Sequence, residues 1–314
     1  MYLHNLKDAK ELFQAVSNEK NIRPYLIEKD YWIMHALYGL KNQGFNFELK
    51  GGTSLSKGFN IIERFSEDLD IHIHPQNPEE VKAGRNHDKE SHIQSRMDFF
   101  NNLVKNINIP DMEPVRDPLY DDSQMRNAGI VLKYDNLFES EKGVKEGILL
   151  EVGFDQTNPY EIINISSWAY DKAKAIDPTV INNQAHEIKC YYPEYTFVEK
   201  LQAISTKVRK QQESGEFEIN FLRHFYDIYM LLQQERVITF IGTDKYLEHK
   251  KRRFRSHDEL DLKKNLAFNL DHDQNLYNKY KNQFKKIEPL FMFSTPNFDE
   301  IYNKIITFRD QLNS

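Results

Sequence analysis

Asp68 and Asp70 stand in Arg64-Phe-Ser-Glu-Asp-Leu-Asp-Ile-His-Ile73, a stretch in which polar and apolar residues alternate. Residues two apart on a strand share a face. Ser66, Asp68, Asp70, His72 and His74 therefore face one side, and Leu69, Ile71 and Ile73 the other. A rise of ~3.3 Å per residue sets the two carboxylates roughly 6.5–7 Å apart. From one rigid element both can reach one or two Mg²⁺ ions, and Mg²⁺ is typically bound by one or two carboxylates together with substrate phosphates. Such ions stabilise the attacking and leaving oxygens of an in-line phosphoryl displacement. Alone, Asp-x-Asp reads more readily as a half-exposed edge strand with its acids in water than as a metal site. The upstream stretch Lys50-Gly-Gly-Thr-Ser-Leu-Ser-Lys-Gly58 shifts the balance. Its Gly51-Gly52-Thr53-Ser54 turn enters a helix whose free amides favour an anion, which puts a phosphate cradle beside a metal site.

These residues need a scaffold. Leu6, Ala9, Phe13 and Val16 recur at helical spacing, and a second helical pattern runs over 24–40 with Pro24 in its first turn. A strand is expected over 45–49, then a short helix with Leu55, Phe59 and Ile62 on one face. The Asp-x-Asp strand over 68–74 stops at Pro75, and 76–92 reads as a polar surface loop. Residues 129–134 and 148–154 read as two further strands, most simply an antiparallel pair. From about residue 165 the period is helical throughout, with one stripe at Phe197, Leu201, Ile204 and Val208 and another at Phe221, Phe225, Ile228 and Leu232. Residues 240–314 read as two or three helices broken near Pro289 and Pro296. The expected fold is α+β: a small mixed sheet with flanking helices over 1–165, then an all-helical domain over 166–314 that completes the active-site cleft.

Of the 314 residues, 39 % are hydrophobic and 13 % aromatic, enough for a real core. The net charge of -6 excludes a globally basic nucleic-acid binder, so any nucleic-acid surface is local. The single cysteine, Cys190, excludes an intramolecular disulfide and fits a reducing compartment. No leader opens the sequence and no run reaches ~18 apolar residues, so a cytoplasmic protein without membrane partners is expected.

The Gly-Gly-Thr-Ser turn followed by Asp-x-Asp resembles the nucleotidyltransferases of the AbiEii/AbiGii toxin family, within the polymerase-β-like superfamily. Glu28-Lys-Asp-Tyr-Trp32 is similar to the family's N-terminal signature, Phe197-Val-Glu-Lys-Leu-Gln-Ala203 to its lysine helix, and Arg223-His-Phe-Tyr-Asp-Ile-Tyr-Met-Leu-Leu232 to its later aspartate helix. The four motifs span about residues 28–232. The resemblance implies a polymerase-β-like core and transfer of NMP from an NTP to an acceptor with Mg²⁺ or Mn²⁺. It makes Asp68 and Asp70 metal-binding and catalytic. Gly51, Gly52, Thr53, Ser54, Lys57 and Ser66 would hold the nucleotide. Lys200 would neutralise developing charge, and Asp227 would orient a group or act as a base. It further implies a growth-inhibiting toxin with a separately encoded antitoxin, and an RNA acceptor at the 3′ end of tRNA.

Each of these residues has a plainer reading. Lys200 borders the apolar stripe of its helix, where a lysine either snorkels outward or points into a cleft. Asp227 lies four residues after Arg223 and could simply pair with it. For the third carboxylate usual in polymerase-like sites, Glu151 in Leu149-Leu-Glu-Val-Gly153 is the candidate and Asp155 the alternative. Ser66 could also be a phosphoryl acceptor, and His72 and His74 are expected behind the carboxylates or in solvent. The run Lys250-Lys-Arg-Arg-Phe-Arg255 could grip an RNA backbone or form a solvated helix face. Modification of a protein, or of Ser66 itself, and a non-catalytic RNA- or partner-binding role are the competing readings.

Overall fold

The computed structural model describes residues 1–314 except 78, 85, 140–144, 156, 288–290, 293–295 and 314. The chain divides into two compact units, Met1–Gly58 with Ser66–Tyr191, and Phe59–Phe65 with Tyr192–Ser314.

The first unit is built on one mixed sheet. Among the described residues its strands are β1 (Phe47–Lys50), β2 (Asp68–Ile73), β3 (Glu113–Asp117), β4 (Asn127–Lys133), β5 (Ile148–Gly153), β6 (Tyr160–Ile165) and β7 (Ala185–Tyr191), in the spatial order β3-β4-β5-β2-β1-β7-β6. β4 and β5 pair antiparallel, as expected, while β2–β5 and β1–β7 are parallel. Leu49, Leu69, Ile71, Leu150 and Val152 are fully buried, so the apolar half of each alternation enters the core.

Helices α1 (Ala9–Lys20) and α2 (Pro24–Asn42) pack together, and α2 lies against β5 and β7. Pro24 occupies the first turn of α2, where its missing N–H leaves no hydrogen bond unmade. α2 is buried almost all round, and Glu28, Lys29 and Asp30 are buried with it. A helix enclosed on every side has no solvated face for three charges, so each needs a partner inside the fold. A short segment α3 (Gly51–Thr53) follows β1 and continues through a π-type turn over Ser54–Gly58. Helices α4 (Glu90–Asn106) and α5 (Trp168–Ile176) complete this unit.

The second unit is helical. It comprises α6 (Pro193–Ser214), α7 (Arg223–Leu231), α8 (Glu235–Phe240), α9 (Asp244–Arg253), α10 (Gln274–Phe284) and α11 (Phe298–Thr307), with short 3₁₀ turns between them. Both expected stripes are buried, Phe197/Leu201/Ile204/Val208 on α6 and Phe221/Phe225/Ile228/Leu232 along and beside α7. Pro296 precedes α11, and Pro289 lies outside the described residues.

This is the expected α+β architecture, a mixed sheet with flanking helices followed by a helical region. Two expectations fail. The helical segment after the Gly51 turn ends at Gly58, so Phe59 and Ile62 do not continue the face begun by Leu55. The chain is not helical throughout after residue 165, because β7 joins the sheet beside β1. Ala185, Ile188, Cys190 and Tyr191 are buried on β7, but His186, Glu187 and Lys189 between them mask a seven-residue strand. The first unit accordingly carries α5 and β7 past the anticipated division at 165. Among the described residues, no helix is long and apolar enough to cross a membrane.

Candidate active site

β1 delivers the chain into Gly51, whose φ of +70° belongs to the left-handed region. A Cβ there would stand 2.1 Å from Asp70 Oδ2, so the Asp70 carboxylate lies directly over the turn. Thr53 Oγ1 donates to the backbone carbonyl of Asp68 at 2.5 Å and ties the turn to β2. Lys50 is the cross-strand neighbour of Asp70 on β1, and Glu151 its neighbour on β5. Lys50, Asp70 and Glu151 therefore form a row across one sheet face, with Asp68 two residues back along the central strand. The register sets Glu151 beside Asp70, whereas Asp155 lies beyond the end of β5 with Lys50 Nζ 3.4 Å away.

Asp68 is nearly buried and receives a cation from a loop. Lys145 Nζ lies 3.0 Å from both carboxylate oxygens and 4.6 Å from the centre of the Tyr120 ring. The Lys145 backbone is held in turn. Its amide donates to Glu67 Oε2 at 3.0 Å, and its carbonyl accepts from Tyr25 Oη at 3.0 Å and from Lys29 Nζ. Burial raises the Asp68 carboxyl above its ordinary range; Lys145 works against this and Glu67 adds to it. Burial also disfavours the Lys145 ammonium, but the Asp68 carboxylate outweighs it and moves that pKa up.

The buried triplet on α2 positions these pieces. Glu28 accepts from the amides of Leu137 at 2.8 Å and Phe138 at 3.3 Å, Lys29 donates to Glu67 Oε2 at 3.1 Å, and Asp30 accepts from Lys57 Nζ at 2.6 Å and the Trp168 amide at 3.0 Å.

The donor set at Asp68, Asp70 and Glu151 is oxygen only, which suits a hard cation. In this structure the positive charge on Asp68 is supplied by the Lys145 ammonium, held on both carboxylate oxygens.

Several residues expected at the nucleotide are engaged elsewhere. Thr53 and Ser54 are fully buried, Thr53 on the β2 backbone and Ser54 beside the Cys190 thiol. Lys57 pairs with Asp30 and covers the Trp168 ring at 5.1 Å. Gly52 is buried, whereas Gly51 and Ser66 are partly exposed. Burial raises the Cys190 thiol to about 12, which keeps it protonated and unreactive.

In the second unit Asp227 is fully buried and forms the centre of a charge cluster. Arg64 grips it through two bonds, Nε to Oδ1 at 2.6 Å and Nη2 to Oδ2 at 2.8 Å, and Lys200 Nζ lies 3.1 Å from Oδ2. His224 Nδ1 sits 3.2 Å from Lys200 Nζ. Burial alone would raise the Asp227 pKa, but Arg64 and Lys200 more than offset it and hold the carboxyl well below the usual range. Burial, reinforced by Lys200, brings His224 down to about 3 and keeps its imidazole neutral. The partner of Asp227 is thus Arg64 from far along the chain, not Arg223 one turn away. The basic run divides: Lys250 and Phe254 turn inward, with Lys250 Nζ donating to the Leu312 carbonyl at 2.7 Å, while Lys251, Arg252 and Arg255 stay exposed.

Sequence reading missed Lys145, Glu67 and Arg64. Glu67 and Arg64 sit inside the quoted Asp-x-Asp motif, so proximity to the aspartates was an available signal. Lys145 carried none.

Gly51→Ala tests the turn. An alanine at φ +70° costs about 1–2 kcal/mol, and its methyl must displace the Asp70 carboxylate. Nucleotidyl transfer should therefore fall far more than stability; rates compared with thermal melts check this, and equal losses in both would discard the arrangement.

Residues 35–304, most of the chain, match the family described as AbiEii, nucleotidyl transferase AbiEii toxin, type IV TA system. A crystal structure of an antigenic nucleotidyltransferase-like protein from Paracoccidioides brasiliensis is similar at 14% identity and a TM-score of 0.38, over 81% of this chain and 93% of that one. No curated protein matches the sequence. The chain belongs to the AbiEii family, the nucleotidyltransferase toxins of type IV toxin–antitoxin systems.

Proposed function

We propose that this nucleotidyltransferase uses Mg²⁺ or Mn²⁺ to transfer NMP from an NTP to the 3′ end of an RNA, with tRNA as acceptor, and that a separately encoded antitoxin in the same cytoplasm restrains it. The observation that carries the reading is the row of Asp70 and Glu151 with Asp68 behind it, set over the Gly51 turn. In the reaction the acceptor hydroxyl oxygen bonds to the α-phosphorus, the bond to pyrophosphate breaks in line, and the hydroxyl proton passes to solvent water. Asp68, Asp70 and Glu151 would hold the divalent ions, which would supply charge stabilisation for the displacement. Gly51 lets the backbone approach the phosphates without a side chain in the way. Lys200, which pairs with Asp227, is the cation to which the family resemblance gives the role of neutralising developing charge. Asp227, held ionised between Arg64 and Lys200, has the orienting role, because its oxygens are already engaged and its basicity is low.

Incubation with each α-³²P-labelled NTP, Mg²⁺ or Mn²⁺ and total cellular RNA tests the reading. Label in RNA of tRNA size is the expected result. Label on protein instead would favour modification of a protein or of the partly exposed Ser66. No transfer to either from folded enzyme that binds NTP would refute the acceptor class.

A further inference from the structure

A second group of ligating side chains lies on the same sheet face as Asp68 and Asp70, toward the other end of β2. Glu48 on β1 is the direct cross-strand partner of His72, and His74 follows two residues later. The His74 amide bonds to the Asn46 carbonyl at 2.9 Å, which extends the pairing beyond β2 and keeps the His74 ring on the face of His72. One ligand atom from each of Glu48, His72 and His74 lies within 4.8 Å of the others. The two imidazole centres are 4.4 Å apart, and His74 Nε2 is 2.9 and 2.7 Å from the two Glu48 oxygens.

Two readings compete. In the plainer one Glu48 is a buried carboxylate, 2 % exposed, that is satisfied by His74, by Thr157 Oγ1 at 2.9 Å and by Lys189 Nζ at 3.7 Å. That account leaves out His72. Its Nδ1 is buried and has no hydrogen-bond partner among the described residues. A buried ring nitrogen without a partner is unfavourable, and such a group calls for an explanation such as an ion.

We propose that Glu48, His72 and His74 bind a transition-metal ion of the Zn²⁺ class, at a site separate from the oxygen-only carboxylates. Two imidazoles and one carboxylate are a recurrent three-ligand set for Zn²⁺, with a further position left for water or a ligand atom. Nitrogen donors favour this class over Mg²⁺, whereas the Asp68/Asp70/Glu151 set has the opposite preference. Thr157 orients the carboxylate from behind, as outer hydrogen bonds do at metal sites. A ligating imidazole nitrogen carries no proton, so any proton on His74 Nε2 passes to solvent as the ion binds. His74 also lines an open cavity of about 700 Å³ with Asn46, Pro75 and Phe99. Bound there, the ion joins β1 to β2, the two strands that carry the Gly51 turn and the aspartates.

The full-length protein, stripped with chelator and dialysed, is titrated with Zn²⁺ against a chromophoric chelator, and with Co²⁺ to read its visible bands. The expected result is one tight equivalent, cobalt bands of low coordination number and a raised melting temperature. His74→Asn and Glu48→Gln should each weaken binding by more than ~100-fold, with metal-free melts confirming that both variants fold. Asp70→Ala should bind Zn²⁺ as the parent does. No tight equivalent in the parent, or binding kept in His74→Asn and lost in Asp70→Ala, would overturn the proposal.

Discussion

Asp70→Ala is expected to lower nucleotidyl transfer by ~10³-fold or more, the scale of one charge-stabilising contribution to phosphoryl transfer. Asp70 is partly exposed, so its removal leaves no buried charge behind, and stability should change by less than about 1 kcal/mol. The large ratio of these effects is what a site residue, as opposed to a structural one, should give. Initial rates of label transfer and a thermal melt on the same preparation measure both. Activity within a few-fold of the parent would remove Asp70 from the machinery. Asp68 should behave differently, because its loss also leaves Lys145 without its carboxylate; Asp68→Ala should lose both activity and stability.

Asp227→Ala should destabilise the second unit by about 3–5 kcal/mol, since it leaves the buried Arg64 guanidinium and Lys200 ammonium uncompensated. Urea denaturation followed by far-UV circular dichroism would show it. Adding Arg64→Met should restore part of the loss by removing one stranded charge. A pH dependence accompanies this. The Asp227 carboxyl lies well below its ordinary value in the folded state, so its contribution is fully present above an unfolded pKa of about 4 and is lost as the pH falls from there toward the folded value. In Asp227→Asn that part of the acid limb should be missing. A parent and an Asn variant with identical slopes below pH 4 would show that the cluster is not coupled to folding.

What could be read in advance follows from the range of the interactions. The Asp68/Asp70 alternation was legible because a strand's period of two shows in six residues. The stripes on α6 and α7 were legible for the same reason at a period of 3.6. β7 was not, because its place beside β1 depends on a partner some 140 positions earlier, and charged residues on its outer face hide the pattern. At the candidate site the motif residues were visible, but their bonds were not. The resemblance makes Thr53 and Lys57 nucleotide ligands, and the structure shows their side chains bonded to the Asp68 carbonyl and to Asp30. Lys145 and Arg64 reach their carboxylates across 77 and 163 residues, distances at which spacing carries no signal.

The buried triplet on α2 has an implication for how this sequence can vary. Consecutive helical residues diverge by about 100°, so Glu28, Lys29 and Asp30 address three separate segments from one turn. Charge reversal at any one of them strands a partner in the interior. Lys29 and Asp30 each have one side-chain partner that could change with them, Glu67 and Lys57, but each also holds a backbone group, the Lys145 carbonyl and the Trp168 amide, that would not follow. Glu28 has no such route, because its partners are backbone amides that no substitution can invert. Of the three, Glu28 should be the position where drift is slowest and compensation rarest.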